Sequence, residues 1–302
     1  MDYQLGDVIY VVFDNTIVLS IVFGVLSATS IGIADLITIG LARKIGLIST
    51  GLWEKLLAVV IVTPYFFLTS SGSEIIFEHW HLLVLLGFVN LITYLVLIRS
   101  LQIGPVSVVA PLTTVFSIVS LGLAYLFLDE RLTYSQVIVI GVVLIGAAVT
   151  VFKPGKSNSV SSSLTTGVLL GLLATLIIGS QFFLQGVVSK EVGWFLGVYF
   201  PIMFSIFGFI PISFYKGEIP WQQLNFRIFS LLLLTSSLKI GGFFLFARGA
   251  ELGSIGMVSV GTTAYPVIPI IAGVLLFKER LVYTQVIGIS LLLGSMAVLA
   301  AT

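Results

Sequence analysis

Long apolar stretches, separated by short polar segments, follow one another along almost the whole chain. A helix that crosses a bilayer needs about 20 mainly apolar residues. Within the bilayer, each backbone amide and carbonyl must be hydrogen-bonded inside its own segment, which makes such stretches helices. The pattern predicts ten spanning helices, at residues 17–41, 52–70, 82–101, 105–127, 133–152, 166–188, 194–214, 228–249, 254–277 and 282–301.

The composition supports this prediction and argues against other classes of protein. Of the 302 residues, 58% are hydrophobic and 9% are charged, whereas a soluble domain carries roughly 25% charged residues. The formal net charge of +1 gives no electrostatic reason to expect nucleic acid as a partner. The absence of cysteine excludes disulfides and thiolate metal sites. The acidic start of the chain lacks the basic residues of a secretory signal, so we expect none.

The second half of the chain repeats the first. With a shift of 149 residues, 13 of the 40 positions from 99 to 138 are identical, and the Glu-Arg-Leu at 130–132 falls on that at 279–281. A shift of 147 residues places Gly46 on Gly193. Chance similarity between apolar helices would match Leu and Val, and does not account for charged residues shared at a fixed offset. We therefore predict a duplication.

Each half contains five predicted helices, an odd number, so the second half begins on the opposite side of the membrane. The two halves are then inverted relative to each other, which is typical of secondary transporters with a site near the bilayer midplane. The predicted fold is an all-α integral membrane protein with ten transmembrane helices as two inverted five-helix repeats. The repeats cover residues 1–153 and 166–302, and a polar linker covers 154–165.

Several motifs resemble the signature of the EamA family of the drug/metabolite transporter superfamily. The first half carries Pro-Leu-Thr-Thr at 111–114 and Leu-Phe-Leu-Asp-Glu-Arg-Leu at 126–132, and the second half repeats part of this at 279–281. Residues 32–36 and 179–182 resemble the family's first-helix motif without its usual preceding Trp. The resemblance implies a central cavity lined by the first, third, fourth, sixth, eighth and ninth spans. It also implies transport of metabolites such as amino acids, nucleobases or sugars.

Two charged residues lie inside predicted spans, where charge is costly and usually functional. Lys239 is in the middle of span 228–249, and Asp35 is in the inner half of span 17–41. Because burial disfavours an isolated ammonium, Lys239 should pair with a carboxylate, bind an anionic part of a solute or be neutral. Asp35 is the only carboxylate clearly inside a predicted span, which makes it the expected partner. A purely structural ion pair, or a lysine that snorkels to the interface, is the alternative.

Helical spacing groups other polar and aromatic residues with these charges. Ser236, Lys239 and Phe243 share one face of their helix, and the repeat shift relates Lys239 to Asn90. For any single Ser or Thr, a bond to its own backbone or to a neighbouring helix is the alternative interpretation. The candidates for substrate binding are Lys239, Asp35, Asn90, Tyr94, Gln181, Ser236, Phe243, Thr262 and Tyr265.

These observations together predict a plasma-membrane transporter of a small organic metabolite that works by alternating access. We expect a small-molecule substrate and the lipid bilayer as partners, no cofactor, metal or nucleic acid, and a functional monomer. An ion or magnesium-type facilitator is one alternative, and an intramembrane enzyme or a structural membrane subunit is another. The chain has no phosphate-binding glycine loop or nucleophile elbow, and His79 and His81 lack the pattern of a zinc site. The pattern leaves import and export equally open.

The basic residues are distributed unevenly between the predicted loops. The odd-numbered loops hold ten Lys and Arg residues, Lys55 among them, and the even-numbered loops hold three. By the positive-inside rule, the odd loops lie in the cytoplasm and both termini lie outside. The family resemblance implies the opposite arrangement, and we follow the charge count.

Overall fold

The computed structural model describes residues 3–69, 73–103, 116–128, 130, 132–151, 162–218, 224–265, 267–268 and 283–300. Every regular element in these ranges is an α-helix. The helices are α1 (Tyr3–Ile45), α2 (Leu47–Thr69), α3 (Ser73–Glu78), α4 (Trp80–Ile103), α5 (Phe116–Leu128), α6 (Tyr134–Val151), α7 (Ser162–Val192), α8 (Leu196–Lys216), α9 (Phe226–Leu252), α10 (Ile255–Thr262) and α11 (Tyr283–Ala300).

Six of the described helices are long and apolar enough to cross a membrane, and three shorter apolar helices accompany them. The long spans are 16–45, 47–68, 80–100, 169–192, 196–216 and 226–252, and the short ones are 116–128, 134–146 and 286–295. The chain is therefore a multi-pass, all-α membrane protein. Three parts of the predicted organisation lie outside the described residues. They are the start of span 105–127, residues 269–277 of span 254–277, and most of the linker at 154–165. The count of ten stays a prediction.

A single glycine separates the first two helices. Gly46 has φ +91° and Gly193, its equivalent in the second half, has φ +87°, a left-handed conformation that costs glycine little. Because α1 ends at Ile45 and α2 begins at Leu47, the second helix starts five residues before its predicted position. Glu54 and Lys55, at the very start of predicted span 52–70, consequently lie two turns inside α2, where they are only 2% and 8% exposed.

The prediction that Lys55 belongs to a loop is thus wrong. Its removal changes the loop count from ten against three to nine against three. The odd loops still hold more Lys and Arg residues than the even loops, so the charge count still favours a cytoplasmic location for the odd loops.

The two halves of the chain are interleaved. Helix α1 packs along α9 and α10, and α4 packs along α7 and α8. The backbones of α1 and α10 touch, since a Cβ placed on Gly24 would lie 2.8 Å from Gly261 Cα. Helix α6 packs along α11. Every one of these contacts joins one half of the sequence to the other, and the halves therefore share a common interior.

Each of two glutamates accepts hydrogen bonds from the N-terminus of a helix in the other half of the chain. The Glu130 carboxylate accepts the backbone N–H groups of Ile255 and Gly256, each at 3.0 Å. Glu218 accepts the N–H group of Ile48 at 2.9 Å. Helix starts carry unpaired N–H groups and a partial positive charge, so a carboxylate is a favourable partner there. Each glutamate belongs to one half and caps a helix of the other.

Candidate functional site

A cavity of about 150 Å³ lies where α1, α2, α4, α5, α7, α9 and α10 converge. Eight of the nine residues predicted as substrate ligands line it: Asp35, Asn90, Tyr94, Gln181, Lys239, Phe243, Thr262 and Tyr265. The six spans that the family resemblance implied all contribute, and the structure adds α2 through Lys55.

Ser236 is the exception among the predicted residues. It is completely buried, its hydroxyl donates to the Leu232 carbonyl at 2.6 Å, and it does not line the cavity. This bond to its own helix is the alternative that applies to any single serine, because the hydroxyl can reach the carbonyl four residues back. The prediction that Ser236 contributes to the cavity is therefore wrong.

Lys239 is held by two carboxylates. Its Nζ lies 3.0 Å from Asp35 Oδ1 and 2.9 Å from Glu54 Oε2. The predicted pairing with Asp35 is confirmed, but the premise that Asp35 is the only carboxylate in a span is wrong, because Glu54 is also inside one. The side chains of Lys239, Asp35 and Glu54 are 13%, 16% and 2% exposed. Buried charges of this kind must be paired, since each alone would carry a large desolvation cost.

Hydroxyl groups and one aromatic ring complete this charged cluster. Tyr265 donates its hydroxyl to Asp35 Oδ2 at 3.0 Å, and the Thr38 hydroxyl donates to Glu54 Oε1. Lys239 Nζ lies 5.5 Å from the centroid of the Tyr94 ring, within range of a cation–π interaction. Both carboxylates therefore have a partner on each oxygen, which fixes their orientation.

Lys55 stands apart from this cluster although it faces the same cavity. The residue is 8% exposed, and its Nζ lies 5.7 Å from the centroid of the Phe243 ring. Within the described part of the chain, no carboxylate lies within 4.0 Å of it. The formal charges of Lys55, Lys239, Asp35 and Glu54 sum to zero, but only Lys239 is in direct contact with the two carboxylates.

A neutral polar pair occupies the repeat-related crossing of α4 and α7, which also joins the two halves of the chain. Gln181 Nε2 donates to Asn90 Oδ1 at 2.7 Å, and Asn90 Nδ2 donates to the Leu86 carbonyl at 3.1 Å. The repeat shifts relate Asn90 to Lys239, and Gln181 to the residue beside Asp35. The same crossing of helices thus carries an ion pair in one case and an amide pair in the other.

Three phenylalanines form a flat apolar wall on the cavity. The Phe116 and Phe182 rings stack with centroids 4.8 Å apart, and Phe182 and Phe243 stack at 6.2 Å with 21° between their planes. All three residues line the cavity. Apolar walls with a few oriented polar groups are characteristic of small-molecule sites.

These features define a multi-pass helical membrane protein with a central cavity between two halves, mainly apolar in its lining and bordered by a charged cluster. The sequence profile of the EamA-like transporter family matches residues 18–152 and 165–301, so the chain belongs to that family and contains the repeat twice. A solved crystal structure superposes with a TM-score of 0.76 at 13% sequence identity, over 94% of this chain and 96% of that one, which shows a shared fold. No curated protein sequence matches this chain.

Lys55 and Phe182 are two of the lining residues that the sequence analysis did not predict. Lys55 fell at the start of predicted span 52–70 and was counted with the adjoining loop, and Phe182 carries no polar signal. Gly46 was the available clue, because a glycine two residues after the basic pair Arg43 and Lys44 indicates a helix end.

Proposed function

We propose that this protein carries a small organic metabolite across the membrane through the central cavity, by alternating access. The observation that carries the proposal is the placement of charged, amide and aromatic side chains from both repeats around one cavity. Fused repeats with a site between them are the arrangement on which alternating access depends, because each can rock against the other.

The finer architecture belongs to the same proposal. We infer ten transmembrane helices in two inverted repeats, both termini outside, a plasma-membrane location and a functional monomer. The odd number of helices predicted for each repeat and the nine-to-three excess of cations in the odd loops support the inversion and the orientation. Fusion of both repeats in one chain supports the monomer.

The cavity suits an organic solute better than a bare cation. Asp35 and Glu54 are both engaged by Lys239, and among the described residues no group of three or more acidic or histidine side chains could hold a divalent cation. The Phe182 and Phe243 rings offer flat apolar surface. The amide pair of Asn90 and Gln181 offers further hydrogen-bonding capacity.

The test is efflux from proteoliposomes loaded with a defined mixture of amino acids, nucleobases, sugars and organic acids, followed by mass spectrometry of the external medium. We expect accelerated release of one chemical class relative to protein-free liposomes. Release equal to that of protein-free liposomes for every component would contradict the proposal. Ser236→Ala is a matched control, since Ser236 lies three residues from Lys239 but outside the cavity, and its release rates should equal those of the wild type.

A further inference from the structure

Lys55 is a buried cation with unused donors. It is 8% exposed, it lines the cavity, and its ammonium lies over the face of the Phe243 ring. An ammonium has three N–H donors and no acceptor. Among the described residues, no carboxylate lies within 4.0 Å of Nζ. Burial of an ammonium without a direct partner is unfavourable, which raises the question of what compensates it.

We propose that Lys55 anchors the carboxylate of the transported solute. The inference rests on the proposed transport function and names the chemical class of the solute. Lys239, the other ammonium on the cavity, is already paired with Asp35 and Glu54, so among the described lining residues Lys55 is the cation without a carboxylate partner. One available cation matches a monoanionic carboxylate rather than a dianionic phosphate.

The remainder of the cavity fits an apolar body attached to that carboxylate. Phe243 lies beneath Lys55 Nζ and continues into the stack with Phe182 and Phe116. A carboxylate bound at Lys55 therefore places its apolar part against the three rings. The cavity volume of about 150 Å³ limits the solute to the size of a small molecule.

A structural role for Lys55 is the competing explanation. The melting temperature of the protein without solute distinguishes this role from solute binding. If Lys55 serves the solute, Lys55→Met removes an uncompensated buried charge and should raise the melting temperature without solute. If Lys55 stabilises the fold, the same substitution should lower it. Lys239→Met is the matched comparison, because it strands two carboxylates and should lower the melting temperature. A melting temperature of Lys55→Met at or below that of the wild type overturns the proposal.

Binding to the purified wild type tests the chemical class of the solute. The probes are the carboxylates benzoate and phenylacetate, the uncharged amides of both acids, the cation benzylamine, and the dianion phenyl phosphate. We expect both carboxylates to raise the melting temperature more than their amides do. We also expect Lys55→Met to weaken carboxylate binding roughly 10- to 100-fold, the range of a charged hydrogen bond, while leaving amide binding unchanged.

Three results would contradict the assignment: stronger stabilisation by phenyl phosphate or benzylamine, equal stabilisation by acid and amide, or unchanged carboxylate affinity in Lys55→Met. The efflux assay separates this inference from the proposed function. If Lys55→Met releases a neutral or cationic metabolite as fast as the wild type does, transport stands and the role of Lys55 fails. If the wild type releases nothing faster than protein-free liposomes, the proposed function fails.

Discussion

Replacement of Lys239 by methionine tests the charged cluster most directly. The substitution keeps the length of the side chain and removes the ammonium that neutralises Asp35 and Glu54, at 3.0 and 2.9 Å. Breaking a buried ion pair on one side typically costs about 3–5 kcal/mol. Since the stability of a domain is about 5–15 kcal/mol in total, we expect Lys239→Met to lose a large fraction of it.

The two carboxylates should contribute unequally to that loss. Asp35 is 16% exposed and borders the cavity, whereas Glu54 is 2% exposed, so Glu54 is the more costly charge to strand. Lys239→Met with Asp35→Leu should therefore recover less than half of the lost stability. Adding Glu54→Gln should recover the remainder to within about 1 kcal/mol, because an amide keeps a hydrogen bond with Thr38 and carries no charge.

Equilibrium unfolding in mixed micelles, followed by tryptophan fluorescence, measures these differences. Lys216→Met is the control, since Lys216 is exposed at the end of α8 and should change stability by no more than about 0.5 kcal/mol. Full recovery in the double variant would refute the role of Glu54, and unchanged stability in Lys239→Met would refute the buried ion pair. If the triple variant folds and transports, the cluster is structural; if it folds without transport, the charges of the cluster take part in transport.

Two further predictions concern the cavity wall and the orientation. Alanine at Tyr94, Phe243 or Tyr265 should lower transport more than protein abundance, because each ring borders the cavity; normal efflux in all three variants at equal expression would argue against it. The native chain has no cysteine, so single cysteines report topology: Glu74→Cys should react with an impermeant maleimide in intact cells, and Tyr215→Cys only after permeabilisation. The reverse labelling pattern would place the termini inside.

The sequence was sufficient to predict the class of fold, because apolar length and the fixed repeat offset are properties of the chain alone. The match of Gly46 to Gly193 is an example, since both glycines end a helix in the left-handed conformation. The start of α2 was predicted five residues late, because a one-residue turn leaves no polar segment to mark it. Glu54 and Lys55 then fell at the very start of predicted span 52–70, where a charged residue can reach the interface, and half of the buried charge was missed for that reason.

Most polar residues of the cavity were predictable, because polar side chains inside a membrane protein avoid lipid and face a cavity or another polar group. Helical spacing brought Lys239 and Phe243 to one face, and the repeat shift extended this to Asn90. Ser236 satisfied the same spacing, but a serine can satisfy its hydroxyl on its own helix and so needs no cavity. The pairing of Gln181 with Asn90 depends on how α7 crosses α4, and the crossing of two helices distant in sequence is a tertiary property.

That crossing leads to a last prediction, which contrasts with the one for Lys239. Asn90→Leu alone should cost about 1–3 kcal/mol, because it leaves the buried Gln181 amide without its partner at 2.7 Å. Asn90→Leu with Gln181→Leu should be close to neutral, since both polar groups then leave together and no charge is stranded. The double variant should fold normally by the unfolding assay, in contrast to Lys239→Met with Asp35→Leu, which still contains the stranded Glu54. If the double leucine variant is destabilised as strongly as the single one, the amide pair is not an isolated contact and the comparison of the two crossings fails. If it is stable, a loss of efflux in it would indicate that Asn90 and Gln181 contribute to transport beyond their contact with each other.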